Sequence, residues 1–232
     1  MNTTFSEKKN DKINAALVGI FFIVAAVSSV TGLKLYDPIL SDANFIISGS
    51  THYNQIISGA ICELILAATA TGTGIMLYPY LRQYSESLGL GYLCFRMLEV
   101  FFILLGIVSV LTTLSLSVHY SNHIIQDNAM DESVGFAFIS LHNWTFILGP
   151  NFMLAINTFL YSYTFFKTGL VPKGLSLLGL TAACLIMLAA ILELFGIIYQ
   201  ISVWGILLAF PIALYEMSLS VWLIVKGFSF KE

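Results

Sequence analysis

Apolar residues along this chain neither alternate nor recur in stripes; they run in long blocks separated by short polar intervals. About 20 such residues in a helix cross a hydrocarbon core of roughly 30 Å. The blocks predict helices over about 13–33, 55–80, 90–118, 136–166, 174–198 and 204–225. The fourth is too long for one straight crossing. Gly149-Pro150 inside it predicts a kink, because proline removes a backbone donor, and its first part, up to Trp144, is expected at the interface. Pro211 is expected to bend the last helix. Tyr78-Pro79-Tyr80-Leu81-Arg82, an aromatic belt with a basic residue, is expected to end the second at the water boundary. The expected class is an all-α integral membrane protein, a bundle of six transmembrane helices forming one domain over 13–225, with tails at 1–12 and 226–232. A cleaved signal peptide would need an apolar region of about 7–15 residues and a small-residue cleavage site; the first block is longer and no such site follows cleanly.

The polar intervals carry the orientation. Lys8, Lys9, Lys12, Arg82, Lys167, Lys173, Lys226 and Lys231 fall on one side of the bundle, leaving only Lys34 clearly on the other. Positive residues collect on the cytoplasmic side, so both termini are expected in the cytoplasm and the number of crossings is expected to be even. The interval 119–133 holds Asp127, Asp131 and Glu132 but no Lys or Arg.

Composition agrees with the pattern: of 232 residues 58% are hydrophobic and only 10% charged, against about 25% charged in soluble domains. The formal net charge of −3 gives no basic surface for nucleic acid. Cys62, Cys94 and Cys184 all lie in apolar blocks, which suggests neither a disulfide framework nor a zinc motif; small reduced packing residues are expected.

Against this apolar background Glu63, Glu99, Glu193 and Glu216 stand inside four different predicted spans. An ionisable residue at a bilayer centre costs about 2.5–3.5 kcal/mol on insertion scales, so such groups face a bundle interior, pair or bind a proton. Arg96 and Glu99 are spaced i, i+3 and can meet on one helix face. Glu216 follows Pro211 by five residues, and Asn151 and Asn157 could supply neutral hydrogen bonds. The candidate intramembrane polar pocket is Glu63, Arg96, Glu99, His142, Glu193 and Glu216. His52, His119, His123 and His142 all map to the outer side. Without an H-E-x-x-H pattern their expected role is solvated or interfacial rather than metal-binding. No catalytic or cofactor signature is present: a G-x-S-x-G elbow is missing, and Gly72-Thr73-Gly74 is too short for a dinucleotide fingerprint. Ile61-Cys62-Glu63-Leu64 and Ile191-Leu192-Glu193-Leu194 hint at a repeat, over four residues only.

Several blocks carry a family resemblance. They are Glu63-Leu64 with Met76-Leu77-Tyr78-Pro79; Glu86-Ser87-Leu88-Gly89-Leu90-Gly91-Tyr92 with Phe95-Arg96 and Glu99; and Leu148-Gly149-Pro150 with Gly169-Leu170-Val171-Pro172 and Leu175-Ser176. The last runs from Pro211-Ile212-Ala213-Leu214-Tyr215-Glu216-Met217 to Trp222-Leu223-Ile224-Val225-Lys226-Gly227-Phe228. Together, from the second helix to the C-terminus, they resemble the bacterial multi-pass membrane family catalogued as domain of unknown function 4386. Two departures stand out: Lys173 in place of an expected Arg, and His142-Asn143-Trp144 where the family tends to Arg-Asp-Trp, which removes an acidic partner. The resemblance implies a bacterial inner-membrane location and no established activity.

Three functional classes remain. The first binds or moves a small solute, ion or proton through the carboxylate pocket, with Arg96 as counter-ion. The second is an intramembrane enzyme or metal or haem redox protein using His142 or His119, and the third a structural or regulatory subunit whose glutamates lock helix packing. The expected partners are the lipid bilayer, a small solute or ion, and a second copy of the chain, since six short-looped helices make a small transporter unless it dimerises. The sequence names no cofactor.

Overall fold

The computed structural model describes residues 5–122 and 128–229. His123, Asp127 and Lys231 lie outside these residues, as do the side chains of Lys8, Lys9 and Asp131. The described chain is helical throughout: α1 (Phe5–Leu35), α2 (Asp37–Leu40), α3 (Phe45–Thr51), α4 (Tyr53–Tyr84), α5 (Glu86–Asn122), α6 (Asn128–Phe146), a π-helical segment (Ile147–Met153), α7 (Leu154–Thr168), α8 (Lys173–Leu194) and α9 (Val203–Val225). Five of the described helices, α1 from Asn10, α4, α5, α8 and α9, are long and apolar enough to cross a membrane. This is a multi-pass membrane protein.

Short connections force successive long helices to run antiparallel. Lys12, Arg82, Lys167, Lys173 and Lys226 consequently gather at one end of the bundle, called here the basic end. Helix α4 packs between α1 and α5, α8 between α7 and α9, and α9 returns to pack on α1. Helix α5, the longest, touches α4, α6, the π segment and α7, which makes it the central post.

Two apolar cores result. At the basic end Tyr80, Tyr161, Phe165, Tyr215, Leu219 and Leu223 pack with Ala15 and Val18 of α1. The Tyr161 and Tyr215 rings stack at 5.9 Å, and the Ser162 hydroxyl donates to Tyr215 Oη at 2.8 Å. The chain beyond α9 closes this end: Phe228 lies 4.4 Å from the Tyr80 ring, and the Ser229 N–H donates to the Leu170 carbonyl at 2.8 Å. At the opposite end Tyr36, Ile39, Phe45 and Ile46 fold over Ile56, Ile107, Val110 and Leu114. Ser117 of α5 ties this cover down, donating to the Ile46 carbonyl at 2.6 Å and accepting from the Ser50 N–H at 2.7 Å.

Several expectations are refined. The polar interval 34–53 holds the short helices α2 and α3, and α4 continues past Pro79 to Tyr84. Pro79 sits in the last turns, where its fixed φ is already helical and only one hydrogen bond is lost. Helix α9 likewise runs unbroken through Pro211, whereas the expected fifth helix stops at Leu194. The long fourth segment is not a simple kink: Pro150 lies inside the π-helical turns. A wide turn omits one axial bond, which accommodates a residue that has no N–H to give. Cys94 and Cys184 face outward instead of packing inside, and Cys62 is half-buried; all three are free thiols.

Candidate functional site

Thirteen acidic residues would be unremarkable on a soluble surface; here the buried ones decide what the interior can do. Arg96 and Glu99, 3% and 4% exposed, occupy one face of α5 at mid-bundle. The i, i+3 spacing brings the Arg96 Nη1 to 2.9 Å from Glu99 Oε2. The Arg96 Nε–H is shared between Thr73 Oγ1 at 3.1 Å and the Ala70 carbonyl at 3.3 Å on α4, and the guanidinium lies 5.8 Å from the Phe22 ring of α1. Glu99 Oε2 also accepts from the Asn157 amide of α7. One ion pair thus ties four helices together, and the hydrogen bonds from its neighbours offset part of the cost of burying it.

A cavity of about 290 Å³ opens beside this pair, walled by α1, α5, the π segment, α8 and α9. At its deep end stand Arg96, Glu99, Phe22 and Glu216; towards the other end stand Glu193, Asn151 and Gln200, with Val30, 73% exposed, at the rim. Most of the wall between is apolar: Ala25, Ala26, Leu154, Ile186, Ala209 and Ile212. The three carboxyls are not equivalent. Glu99 is held by Arg96 and Asn157, and Glu193 accepts from the Asn151 amide at 2.7 Å. The Glu216 side chain makes no hydrogen bond among the described residues; only its backbone carbonyl accepts, from Ser220. The buried Gln200 Nε2 likewise has no partner there.

Glu63 and His142 lie elsewhere. They line a separate chamber of about 20 Å³ with Tyr36, Gly106 and Thr145, space for about one water molecule. Ile103, Phe146 and Pro150 line both spaces, so one wall divides them. Gly32 lets the Glu63 carboxyl reach α1: a Cβ there would stand 2.6 Å from Glu63 Oε1. The Tyr36 ring meets His142 edge-on at 6.0 Å, and the buried Tyr36 hydroxyl has no partner among the described residues. Of the six residues singled out in the sequence, the fold therefore brings Arg96, Glu99, Glu193 and Glu216 to one cavity, and Glu63 and His142 to its small neighbour. Tyr36, Thr73, Phe22 and Gln200 were not singled out. Each comes from an element remote in sequence, and no spacing rule points to it.

His52 lies at the α3–α4 junction and His119 in the last turn of α5. No group of three or more His, Cys, Asp or Glu side chains among the described residues is placed to hold a metal ion. In the connection near His52, Asp42 accepts from the Asn44 N–H at 2.8 Å and from the Ser48 hydroxyl. These two bonds, the Ser48 one first, hold its carboxyl below the usual aspartate range.

With this arrangement in view, comparison with known families is specific. The family model described as Domain of unknown function (DUF4386) matches residues 17–227. The chain belongs to that family. The match starts within α1, ahead of the blocks that carry the resemblance, so all the cavity-lining residues lie inside the DUF4386 region. No curated protein and no solved structure matches the chain.

Proposed function

We propose that this DUF4386 protein crosses the bacterial inner membrane six times, with both termini in the cytoplasm, and binds or moves a small solute, ion or proton through the cavity beside Arg96 and Glu99. In this reading the fourth crossing, added to the five long apolar helices, is the composite of α6, the π segment and α7, and residues 13–225 form the single membrane domain. The observation that carries it is the siting of a buried ion pair and two further carboxyls on the wall of one 290 Å³ space. Helix locking alone needs no such space. Small-ligand sites are concave, mostly apolar and set with a few polar groups, and intramembrane carboxylates mark ion and proton paths. The aromatic core closes the basic end, so access comes from the end bearing Gln200 and Val30.

Thiol accessibility tests the proposal. In a chain freed of its three native cysteines, Ser29→Cys and Ala209→Cys are expected to react with a membrane-impermeant maleimide applied from the periplasmic side and not from the cytoplasmic side. Labelling of neither would remove the water-accessible cavity, and labelling from the cytoplasmic side only would overturn the proposed access from the periplasm. A structural role has one specific support: Glu99 and Glu193 are hydrogen-bonded within the protein. Under that reading Glu216 is the exception that needs explaining.

A further inference from the structure

Which ligand the cavity takes can be argued from what its polar groups have left to offer. Arg96 is committed, through Nε to Thr73 and Ala70, through Nη1 to Glu99, and with its cation over Phe22. An anion entering the cavity would meet a wall on which three carboxyls, Glu99, Glu193 and Glu216, stand against the one arginine. Glu99 and Glu193 are likewise engaged, with Arg96 and Asn157 and with Asn151. Without any side-chain hydrogen bond among the described residues stand the Glu216 carboxyl at depth and the Gln200 amide N–H nearer the rim.

We infer that the cavity binds a small lipophilic ammonium ion, with Glu216 as its counter-charge. The inference rests on the reading of the cavity as a binding site and adds the class of ligand. A carboxylate without a hydrogen-bond partner in a largely apolar enclosure is costly and gains most from a cation placed against it. A bare metal cation fits poorly, because hard cations take about six oxygen ligands at roughly 2–2.6 Å, and the walls around Glu216 are largely hydrocarbon. A proton would neutralise Glu216 yet leave the apolar space unused. An ammonium with a hydrocarbon body uses both: charge against Glu216, body against Ala25, Ala26, Ala209 and Ile212. The volume of about 290 Å³ corresponds to roughly ten water-sized groups, which sets the scale of the ligand. The Gln200 donor suits a ligand with an acceptor at its other end.

The test uses the full chain in nanodiscs with benzyltrimethylammonium, its neutral isostere carrying carbon in place of nitrogen, and phenylacetate, read by calorimetric titration and by the thermal unfolding midpoint. The expected result is binding in the order cation, neutral isostere, anion. Glu216→Gln should weaken the cation by at least about tenfold and leave the neutral isostere unaffected. Glu86→Gln, at the exposed start of α5, should change neither. The ranking on the unaltered chain is a readout that needs no variant. Equal binding of cation and isostere, insensitive to Glu216→Gln but abolished by Ala209→Phe, would overturn the ammonium inference while leaving the cavity as a binding site. Failure of all three probes to bind would overturn the ammonium inference, and a midpoint lowered by Ala209→Phe, as overpacking lowers it, would overturn the cavity as well. Proton uptake that Glu216→Gln abolishes, without cation binding, would leave a proton site and overturn the inference.

Discussion

Arg96 and Glu99 show what one residue pair can and cannot reveal about itself. Their spacing makes the contact legible in the sequence, because i and i+3 face the same way on any helix. The remaining partners, Thr73, Asn157 and Phe22, come from three other helices and are set by packing. Removing one member of a buried pair strands the other, at a cost of about 3–5 kcal/mol, whereas removing both strands neither. Arg96→Gln is therefore expected to lower the stability of the purified protein by an amount of that order, measured by chemical unfolding in detergent, and Arg96→Gln with Glu99→Gln to recover a large part. A double variant as damaged as the single would mean that the arginine acts through packing. Asp42 offers a second residue-scale test, outside the spans. Its carboxyl is held below the ordinary value of about 3.9, so its contribution to α3 is present above that value and lost as pH falls through its own lower midpoint. Carboxyl carbon resonances should show that low midpoint in the native chain and an upward move in Ser48→Ala.

At the scale of the helix, apolar blocks read well for α1, α4, α5, α8 and α9, because length and hydropathy alone decide whether a helix can span. The proline-bearing segments read less well. Pro79 and Pro211 lie inside helices that continue past them, while Pro150 sits in a π-helical stretch that no hydrophobic pattern announces. The difference lies in the neighbours that restore or replace a lost hydrogen bond, which a single chain segment does not contain. Gly149, next to Pro150, permits the close approach of this stretch to α5: a Cβ would stand 2.6 Å from the Phe102 Cβ and 3.3 Å from the Glu99 carbonyl. Neither atom can swing aside. Gly149→Ala should destabilise the protein by about 1–3 kcal/mol, as overpacking does, visible as a lower unfolding midpoint. An unchanged midpoint would show that the π stretch yields.

For the whole molecule, the proposed orientation rests on the lysine and arginine distribution and not on packing, since charge asymmetry acts during insertion rather than in the folded state. A fluorescent-protein fusion at the C-terminus should therefore light up in the cytoplasm, and a periplasm-active phosphatase fused within the α8–α9 connection should be active. The opposite pattern would invert the cavity's access side along with the termini. The sorting of carboxyls between two spaces was not legible, because it depends on which face of each helix meets which neighbour. The blocks were nearly uniform in hydropathy and carried no stripe to say so. Glu63 and Glu193 sit in similar Ile-x-Glu-Leu settings yet line different spaces.

The π-helical stretch can also be viewed as a dislocation in an otherwise regular lattice of hydrogen bonds. An extra residue held in a wide turn can change place with its neighbour by exchanging one axial bond for another, and each such slip turns the residues it passes by about 100°. Asn151, inside the dislocation, grips Glu193, whereas Asn157, beyond it, grips Glu99. A slip of one place would rotate the first grip away and leave the second in register. The mouth of the cavity would then be re-keyed while its deep ion pair stayed in place.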